Sequence, residues 1–175
     1  MKAGVLHARE DIRYEEVETP VPKAGEVLVK VKYSGICGSD VPRVNGDGAH
    51  FYPIILGHEF SGVVEEGDYA LCKHYSFIGT RQPGSFAEYI CVPEQNAVPF
   101  DDSVSFEQGA LFEPAAVALH GLECLPYEGG KTVAILGGGT IGLLVMQWAN
   151  IYGAAKTVVF DIDDDRIKLA KEMGA

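Results

Sequence analysis

The sequence has little positive charge, no long apolar run and no closely paired cysteines. Each absence argues against one class of protein: nucleic-acid-binding proteins, membrane proteins and disulfide-linked proteins, respectively. Its 14 Lys and Arg residues stand against 25 Asp and Glu residues, for a net charge of -11, whereas nucleic-acid binding depends on cations that neutralise phosphates. No apolar run approaches the roughly 20 residues that span a bilayer. The N-terminus turns polar at His7, without the apolar region of a signal peptide. We therefore expect a cytoplasmic protein that binds neither nucleic acid nor membranes.

The four cysteines are far apart and form no Cys-x-x-Cys pair; they are Cys37, Cys72, Cys91 and Cys124. In a cytosolic protein such cysteines are typical of free thiols or metal ligands rather than disulfides. With 175 residues, 47% of them hydrophobic, the chain is long enough for one globular core and parts of a second.

Two kinds of pattern divide the chain. Apolar residues alternate over 27–33 and predict a strand, with further strands at 60–65 and 86–92. The capping-box spacing from Ser105 to Gln108 then predicts the start of a helix. From Lys131 the order is strand, glycine turn, helix, strand, helix, with strands over 132–136 and 157–160 and helices ending near Tyr152 and Met173. The first of these strands is apolar throughout, as in a parallel sheet covered on both faces.

Cys37, His58 and Glu59 place a thiol, an imidazole and a carboxylate in one glycine-rich part of the chain. Zinc accepts all three donors, and a site with three protein ligands keeps one position open for water or substrate, as catalytic sites do. The alternative is that Cys37 is a small buried hydrophobe and His58 a hydrogen-bonded core residue. Ser39 and Asp40 follow Cys37, and Asp40 could orient His58 through its second ring nitrogen. The alternative for Ser39 and Asp40 is a simple turn.

Glu113 is a further acidic candidate because Pro114 follows it. A proline disfavours helical geometry in the residue before it and suits the first position of a new helix, here one that runs toward Leu122. Glu113 is therefore predicted at a junction between two helices, with its carboxylate directed into a cavity. An exposed glutamate at a helix end is an equally good interpretation.

Gly137, Gly139 and Gly142 lie between a predicted strand and a predicted helix, the context that strengthens a G-x-G-x-x-G motif. The glycines allow a tight turn, a close approach to a pyrophosphate and close helix packing, and the helix start, with Thr140 and Ile141, offers N–H groups to phosphates. Asp161 follows the second strand, where a carboxylate binds ribose hydroxyls and repels a 2′-phosphate, so NAD is predicted over NADP. The alternative is a glycine turn without a ligand.

A zinc ion with an open position beside NAD indicates alcohol–carbonyl interconversion, with the metal polarising the substrate oxygen. The nicotinamide would accept hydride from carbon. A proton must also reach solvent, and the hydroxyl of Ser39 is the predicted carrier.

Five segments together resemble the zinc-dependent medium-chain dehydrogenases, and the polyol dehydrogenase branch in particular: residues 35–40, 57–59, 84–89, 113–114 and 137–142. The resemblance implies a mixed β and α/β fold, with a GroES-like, zinc-binding catalytic domain over 1–122 and the beginning of a Rossmann doubly wound parallel sheet over 123–175. It implies that Cys37, His58 and Glu59 contact the catalytic zinc and that Glu113 is a further ligand or holds the zinc-bound water. It also implies a homodimer or homotetramer.

The sequence departs from the family in several places. The family carries a lobe of four cysteines that holds a second, structural zinc, and this chain has only Cys72 there, as a possible remnant. Segments are missing near Glu66 and near Leu71, and the chain ends at Ala175 after two strands of the nucleotide-binding sheet. We therefore expect that the sequence is part of a longer protein, with an intact mass above 18.8 kDa.

The substrate is predicted to be a polyol or polyol phosphate. Pro42 stands where most polyol dehydrogenases of this kind have histidine, and the Pro42–Arg43 pair resembles the polyol-phosphate enzymes. Arg43, with Lys73, His74 and Arg81, could bind a substrate phosphate, since arginine engages phosphate through a bidentate fork; the alternative is ordinary surface solvation. Competing functions are a butanediol- or threonine-type dehydrogenase and a catalytically silent NAD-binding protein.

Overall fold

The computed structural model describes residues 1–46, 48–67 and 78–175, with only the backbone of residues 66 and 67. The chain forms two compact units, Met1–Leu111 and Phe112–Ala175. Residues 112–122, which the sequence analysis assigned to the first domain, group with the second unit in this structure. The boundary after residue 122 stays a prediction about the domains of the whole protein.

In its described residues, the first unit contains two antiparallel sheets of three strands each. One sheet has the order β2-β1-β4, made of β1 (Lys2–Ala8), β2 (Asp11–Glu16) and β4 (Ile54–Ile55). The other has the order β5-β3-β6, made of β3 (Glu26–Gly35), β5 (Glu59–Gly67) and β6 (Tyr89–Pro93). The described residues of this unit also form two short α-helices, α1 (Asp40–Asn45) and α2 (Phe106–Ala110), and a 3-10 turn at Glu94–Asn96.

Apolar residues alternate along β3 and form a hydrophobic core with residues of β6. Val27 and Val29 are buried with Ile90 and Val92 of β6, since residues two apart share one face of a strand. The strands predicted at 27–33 and 60–65 are confirmed. The predicted strand at 86–92 begins three residues late, as β6, because the backbone of residues 86–88 pairs with residues 2–4 of β1 and with Leu56 instead.

The capping box before α2 is confirmed. The Ser105 hydroxyl accepts from the Gln108 amide at 3.2 Å, and the Gln108 side-chain oxygen accepts from the Ser105 amide at 2.9 Å. The next helix, α3 (Phe112–Glu123), begins directly after the C-cap of α2 and two residues before Pro114, the predicted first position. Glu113 therefore lies at the predicted junction of the two helices, but as the second residue of α3 rather than outside helical geometry. The first-turn N–H groups of a helix have no intrahelical partner, which is why Pro114 is tolerated at the third position.

The second unit contains two parallel strands and three helices. Strand β7 (Thr132–Leu136) pairs with β8 (Lys156–Phe160), and α4 (Thr140–Ile151) and α5 (Asp164–Glu172) follow them. Helix α4 packs on α3, where the Trp148 indole donates to the Ala115 carbonyl at 2.9 Å. These elements match the predicted order, and α4 ends before Gly153, which has a φ of 80°.

One expectation about β7 is wrong for this structure. Its residues were predicted to be buried on both faces, but Ile135 is its only buried residue and Leu136 keeps 85% of its surface exposed. The sheet has two strands in the described part of the chain, so β7 has a paired neighbour on one side alone.

Among the described residues, no helix combines the length and the apolar character that a membrane crossing requires.

Candidate metal centre and nucleotide-binding loop

The side chains of Cys37, His58 and Glu59 converge in the first unit, with one donor atom from each within 4.8 Å of the others. Strand register explains the convergence. Strands β3 and β5 are antiparallel neighbours with Gly35 opposite Glu59, so the end of one strand meets the beginning of the other. Cys37 follows the end of β3, and His58 immediately precedes β5.

The donor set fits a zinc ion, because thiolate, imidazole and carboxylate are the zinc ligands of proteins and three ligands leave one position open. The His58 side chain is 7% exposed and Glu59 is 8% exposed. A carboxylate so far removed from water is costly without a compensating charge, and a bound cation supplies one. Cys72, Lys73 and His74 lie outside the described residues, so the predicted structural-zinc remnant stays a prediction.

Gly35 makes room for the Glu59 carboxylate. A Cβ at position 35 would lie 2.6 Å from Oε2 of Glu59 and 3.3 Å from its Cβ. From the sequence, Gly35 is recognisable only as part of the motif 35–40. Its position opposite Glu59 was not recognisable before the strand register was known.

The segment 84–89 holds the backbone that precedes His58. Gly57 has a φ of +96°, and a Cβ there would lie 2.6 Å from the Ser85 hydroxyl. A Cβ on Gly84 would lie 2.3 Å from the Gly57 carbonyl oxygen, and the Ser85 amide donates to that oxygen at 3.0 Å. The motif that carried part of the resemblance therefore packs backbone against backbone beside His58.

Asp40 lies behind the metal centre and is 2% exposed. Its Oδ2 accepts from the Cys37 amide at 3.1 Å, and its Oδ1 is 3.7 Å from His58 Nδ1. The second distance exceeds that of a hydrogen bond, but it places the carboxylate beside one ring nitrogen of His58. The predicted orienting role of Asp40 stays a prediction that this placement favours.

Ser39 contacts the sulfur of the predicted ligand. Its hydroxyl donates to Cys37 Sγ at 3.3 Å and accepts from Arg43 Nη1 at 2.8 Å. Arg43 Nη1 also donates to the Ser39 carbonyl at 2.5 Å. Binding of a substrate phosphate by Arg43 stays a prediction. Arg81, the other described cation predicted to bind that phosphate, is exposed.

Glu113 lies in the first turn of α3 and is half-buried. It belongs to the second unit, whereas Cys37, His58 and Glu59 belong to the first. Its role as a further zinc ligand stays a prediction.

The glycine-rich loop joins β7 to α4 in the second unit. Gly137 has a φ of +107°, and a Cβ on Gly142 would lie 1.8 Å from the Gly137 carbonyl oxygen. No side chain fits at position 142 without moving that loop. Gly139 caps the N-terminus of α4, and Thr140 and Ile141 are the first two residues of the helix.

Asp161 closes the other side of this loop. Its side chain is 5% exposed, and Oδ2 lies 3.5 Å from Arg166 Nη1 and accepts from the Gly138 amide at 2.6 Å. The hydrogen bond from the Gly138 amide is the main cause that lowers the pKa of Asp161, and the Arg166 charge adds to it. The residue is therefore ionised at neutral pH.

An open hollow of about 340 Å³ lies at the carboxyl ends of β7 and β8, lined by Leu136, Gly137, Phe160, Asp161 and Ile162. This edge is where open parallel sheets bind nucleotides. The structure thus brings the first glycine of the motif and the predicted ribose-binding carboxylate to one hollow.

Comparison with known proteins agrees with the sequence and the geometry. Residues 23–102 match the alcohol dehydrogenase GroES-like domain. Galactitol 1-phosphate 5-dehydrogenase of Escherichia coli K12 is 38% identical over 191 residues, which cover 92% of this chain and 55% of that protein. (R,R)-butanediol dehydrogenase of Bacillus subtilis is 34% identical, over 100% of this chain and 62% of its own.

Solved structures share the fold. The crystal structure of galactitol-1-phosphate dehydrogenase from Escherichia coli superposes with a TM-score of 0.92 at 36% identity, over 100% of this chain and 60% of its own. A protein from Sinorhizobium meliloti, described provisionally as a zinc-binding dehydrogenase and bound to NADP, gives a TM-score of 0.91 at 33% identity. The match covers 99% of this chain and 60% of that protein. The chain thus spans little more than half the length of these relatives.

Proposed function

Because this chain is a homologue, by sequence and by fold, of the zinc-type medium-chain alcohol dehydrogenases, we propose that it belongs to an NAD-dependent enzyme that oxidises a secondary hydroxyl group of a polyol or polyol phosphate to a ketone. The observation that carries the proposal is the convergence of Cys37, His58 and Glu59 within 4.8 Å. That donor set fits a catalytic rather than a structural zinc, since it leaves one coordination position open.

Cys37, His58 and Glu59 hold the metal in this proposal, and Glu113 would be a further ligand or would hold the water at the open position. A zinc ion bound there supplies a Lewis acid that polarises the substrate oxygen. Asp40 orients His58 from the side of Nδ1, where its Oδ1 lies at 3.7 Å.

Ser39 moves the proton that the alcohol loses. In this structure its hydroxyl donates to Cys37 Sγ and accepts from Arg43 Nη1. A hydroxyl has two acceptor lone pairs, so the second lone pair can take the substrate's proton while the hydroxyl hydrogen turns from the sulfur and leaves to solvent.

The loop 137–142 and Asp161 bind NAD, which supplies the hydride acceptor. Gly137, Gly139, Thr140, Ile141 and Gly142 form the turn and helix start that face the phosphates. The ionised Asp161 accepts hydrogen bonds from ribose hydroxyls and repels a 2′-phosphate, which favours NAD. Asp161→Ser should therefore raise the use of NADP relative to NAD, and an unchanged ratio would contradict this role.

Galactitol 1-phosphate is the specific substrate that we propose. The 38% identity with galactitol 1-phosphate 5-dehydrogenase over 92% of this chain supports it. The second candidate is a diol or unphosphorylated polyol, supported by the 34% identity with (R,R)-butanediol dehydrogenase. A catalytically silent NAD-binding protein is the alternative outside the enzymes.

The test combines metal analysis with turnover. NADH formation is measured by absorbance on galactitol 1-phosphate, galactitol, sorbitol, 2,3-butanediol and threonine, with and without a chelator. We expect stoichiometric zinc, turnover that the chelator abolishes and zinc restores, and the best kcat/KM on the phosphorylated polyol. Zinc without turnover on any alcohol would favour the silent protein, and full turnover without metal would overturn the proposal.

A matched pair of cysteine variants isolates the metal ligand. Cys37→Ser should lose both zinc and turnover, whereas Cys124→Ser, at an exposed cysteine that directly follows α3, should keep both. Equal zinc contents in the two variants would remove Cys37 from the site.

The proposal also includes a cytoplasmic location and a homodimer or homotetramer. Cys37 and Cys124 form no disulfide within the described part of the chain, which agrees with a reducing compartment. Light scattering on the purified protein tests the oligomeric state, and a monomer at assay concentration would contradict it.

A further inference from the structure

Arg43 faces the back of the candidate metal centre. It is the fourth residue of α1, and its side chain is 15% exposed. Its Nη1 donates to the carbonyl and to the hydroxyl of Ser39 and lies 3.7 Å from Oδ1 of Asp40. Within the described residues, every contact that the structure gives this guanidinium is directed inward, to these two neighbours.

Both neighbours of Arg43 touch predicted zinc ligands. Ser39 donates its hydroxyl to Cys37 Sγ at 3.3 Å. Asp40 accepts from the Cys37 amide at 3.1 Å and places Oδ1 3.7 Å from His58 Nδ1. One guanidinium nitrogen thus contacts both residues that support Cys37 and His58, Ser39 at 2.8 Å and Asp40 at 3.7 Å.

Donor and acceptor roles explain what the arginine does to Ser39. A guanidinium has donors and no acceptor, so the Ser39 oxygen must accept from Nη1. The hydroxyl hydrogen is then directed elsewhere, and the acceptor in reach is the sulfur of Cys37. Arg43 therefore selects the orientation in which Ser39 supports the sulfur.

Charge explains what the arginine does to Asp40. A carboxylate that is 2% exposed is strongly destabilising if its cationic neighbour is removed. Oδ1 of Asp40 lies between Arg43 Nη1 and His58 Nδ1, at 3.7 Å from each. Without the guanidinium, Asp40 would rearrange, and the His58 ring would lose the neighbour beside its Nδ1.

We infer that Arg43 is a positioning residue of the metal centre, which holds Cys37 through Ser39 and His58 through Asp40. The inference rests on the proposed function, because it takes Cys37 and His58 as zinc ligands. It differs from the phosphate-binding role predicted for Arg43 from the sequence. In that role the guanidinium acts on the substrate, whereas here it acts on the metal.

The test compares Arg43→Ala with Arg43→Lys and with Arg13→Ala. Arg13 is a matched control, since it also makes two hydrogen bonds, to Asp11 at 2.6 and 2.8 Å, but on the exposed strand β2. Zinc affinity is measured by competition with a chromophoric chelator. The cobalt-substituted proteins are compared by the thiolate-to-metal charge-transfer band, which reports the geometry at Cys37. KM is measured for a phosphorylated polyol and its unphosphorylated form.

We expect Arg43→Ala to weaken zinc binding about 10–100-fold, the range for residues that support metal ligands. The charge-transfer band should shift, and both KM values should change by the same factor. Arg43→Lys should recover part of the affinity, because an ammonium group can donate to Ser39, and Arg13→Ala should match the wild type. If Arg43→Ala does not fold, Arg43→Lys and Ser39→Ala carry the test, and both must weaken zinc binding.

Wild-type zinc affinity and an unshifted cobalt band in the Arg43 variants would overturn the inference. A rise in KM for the phosphorylated substrate alone would then assign Arg43 to the phosphate, and a fall in thermal stability alone would assign it to the fold. A wild-type protein that binds no zinc would instead overturn the proposed function, so the two failures are distinguishable.

Discussion

Replacing Gly35 by alanine tests whether the space beside Glu59 is needed for metal binding. The new Cβ would lie 2.6 Å from Oε2 of Glu59. Ordinary van der Waals contact begins near 3.4 Å, so the carboxylate must retreat by about 0.8 Å. Zinc–oxygen bonds are about 2.0–2.2 Å long, and a displacement of that size removes the oxygen from the coordination sphere.

We expect Gly35→Ala to weaken zinc binding about 10–100-fold, or ~1.4–2.7 kcal/mol. Competition with a chromophoric chelator measures the affinity, and a thermal melt measures whether the fold survives. Gly38→Ala is the matched control, because nothing lies within 4 Å of a Cβ at that position. It adds the same methyl group on the other side of Cys37.

A double-mutant cycle with Glu59→Ala separates the carboxylate from a general effect on β3. Once the carboxylate is gone, the 2.6 Å overlap is removed and the 3.3 Å contact with the Cβ of residue 59 remains, so Gly35→Ala should cost little further zinc affinity. The reasoning is refuted if Gly35→Ala binds zinc as tightly as Gly38→Ala. It is equally refuted if the full loss persists in the Glu59→Ala background.

Three further predictions concern the nucleotide loop and the helix caps. Gly142→Ala should abolish NAD binding in a calorimetric titration, since its Cβ would lie 1.8 Å from the Gly137 carbonyl oxygen. Gly121→Ala, whose Cβ would have nothing within 4 Å, should bind NAD like the wild type. Equal NAD affinities in the two variants would contradict the packing argument. Because the fold lowers the pKa of Asp161 from its usual value of 3.8, the ionised carboxylate stabilises the folded state at pH values above 3.8. This stabilisation is lost as the pH falls below that value. In urea unfolding from pH 7 to 3, the difference between wild type and Asp161→Asn should therefore shrink below about pH 3.8, and a constant difference would refute the assignment. Ser105→Ala removes the cap of α2 and should lower the free energy of unfolding by about 1 kcal/mol; no change would mean that the cap is dispensable.

Local patterns predicted most of the regular structure because their causes are local. Alternation over 27–33 requires one face to be buried, and the Ser105 capping box satisfies its own backbone amides. Where a prediction failed, a contact distant in sequence or a neighbouring turn decided the outcome. Residues 86–88 pair with residues 2–4 and Leu56 instead of extending β6, and α3 begins before Pro114.

The amino-acid sequence by itself determined which donor types were available, since Cys37, His58 and Glu59 carry a thiol, an imidazole and a carboxylate, all of which zinc accepts, and the glycine spacing over 137–142 is typical of a phosphate-binding turn. Only the tertiary structure decided which side chains lie near one another. The register of β3 against β5 places Gly35 under the Glu59 carboxylate, and the turn of α1 directs Arg43 at Ser39 and Asp40. The physical reason is that a ligand's identity belongs to one residue, whereas its position is set by neighbours that strand pairing and helix geometry bring together.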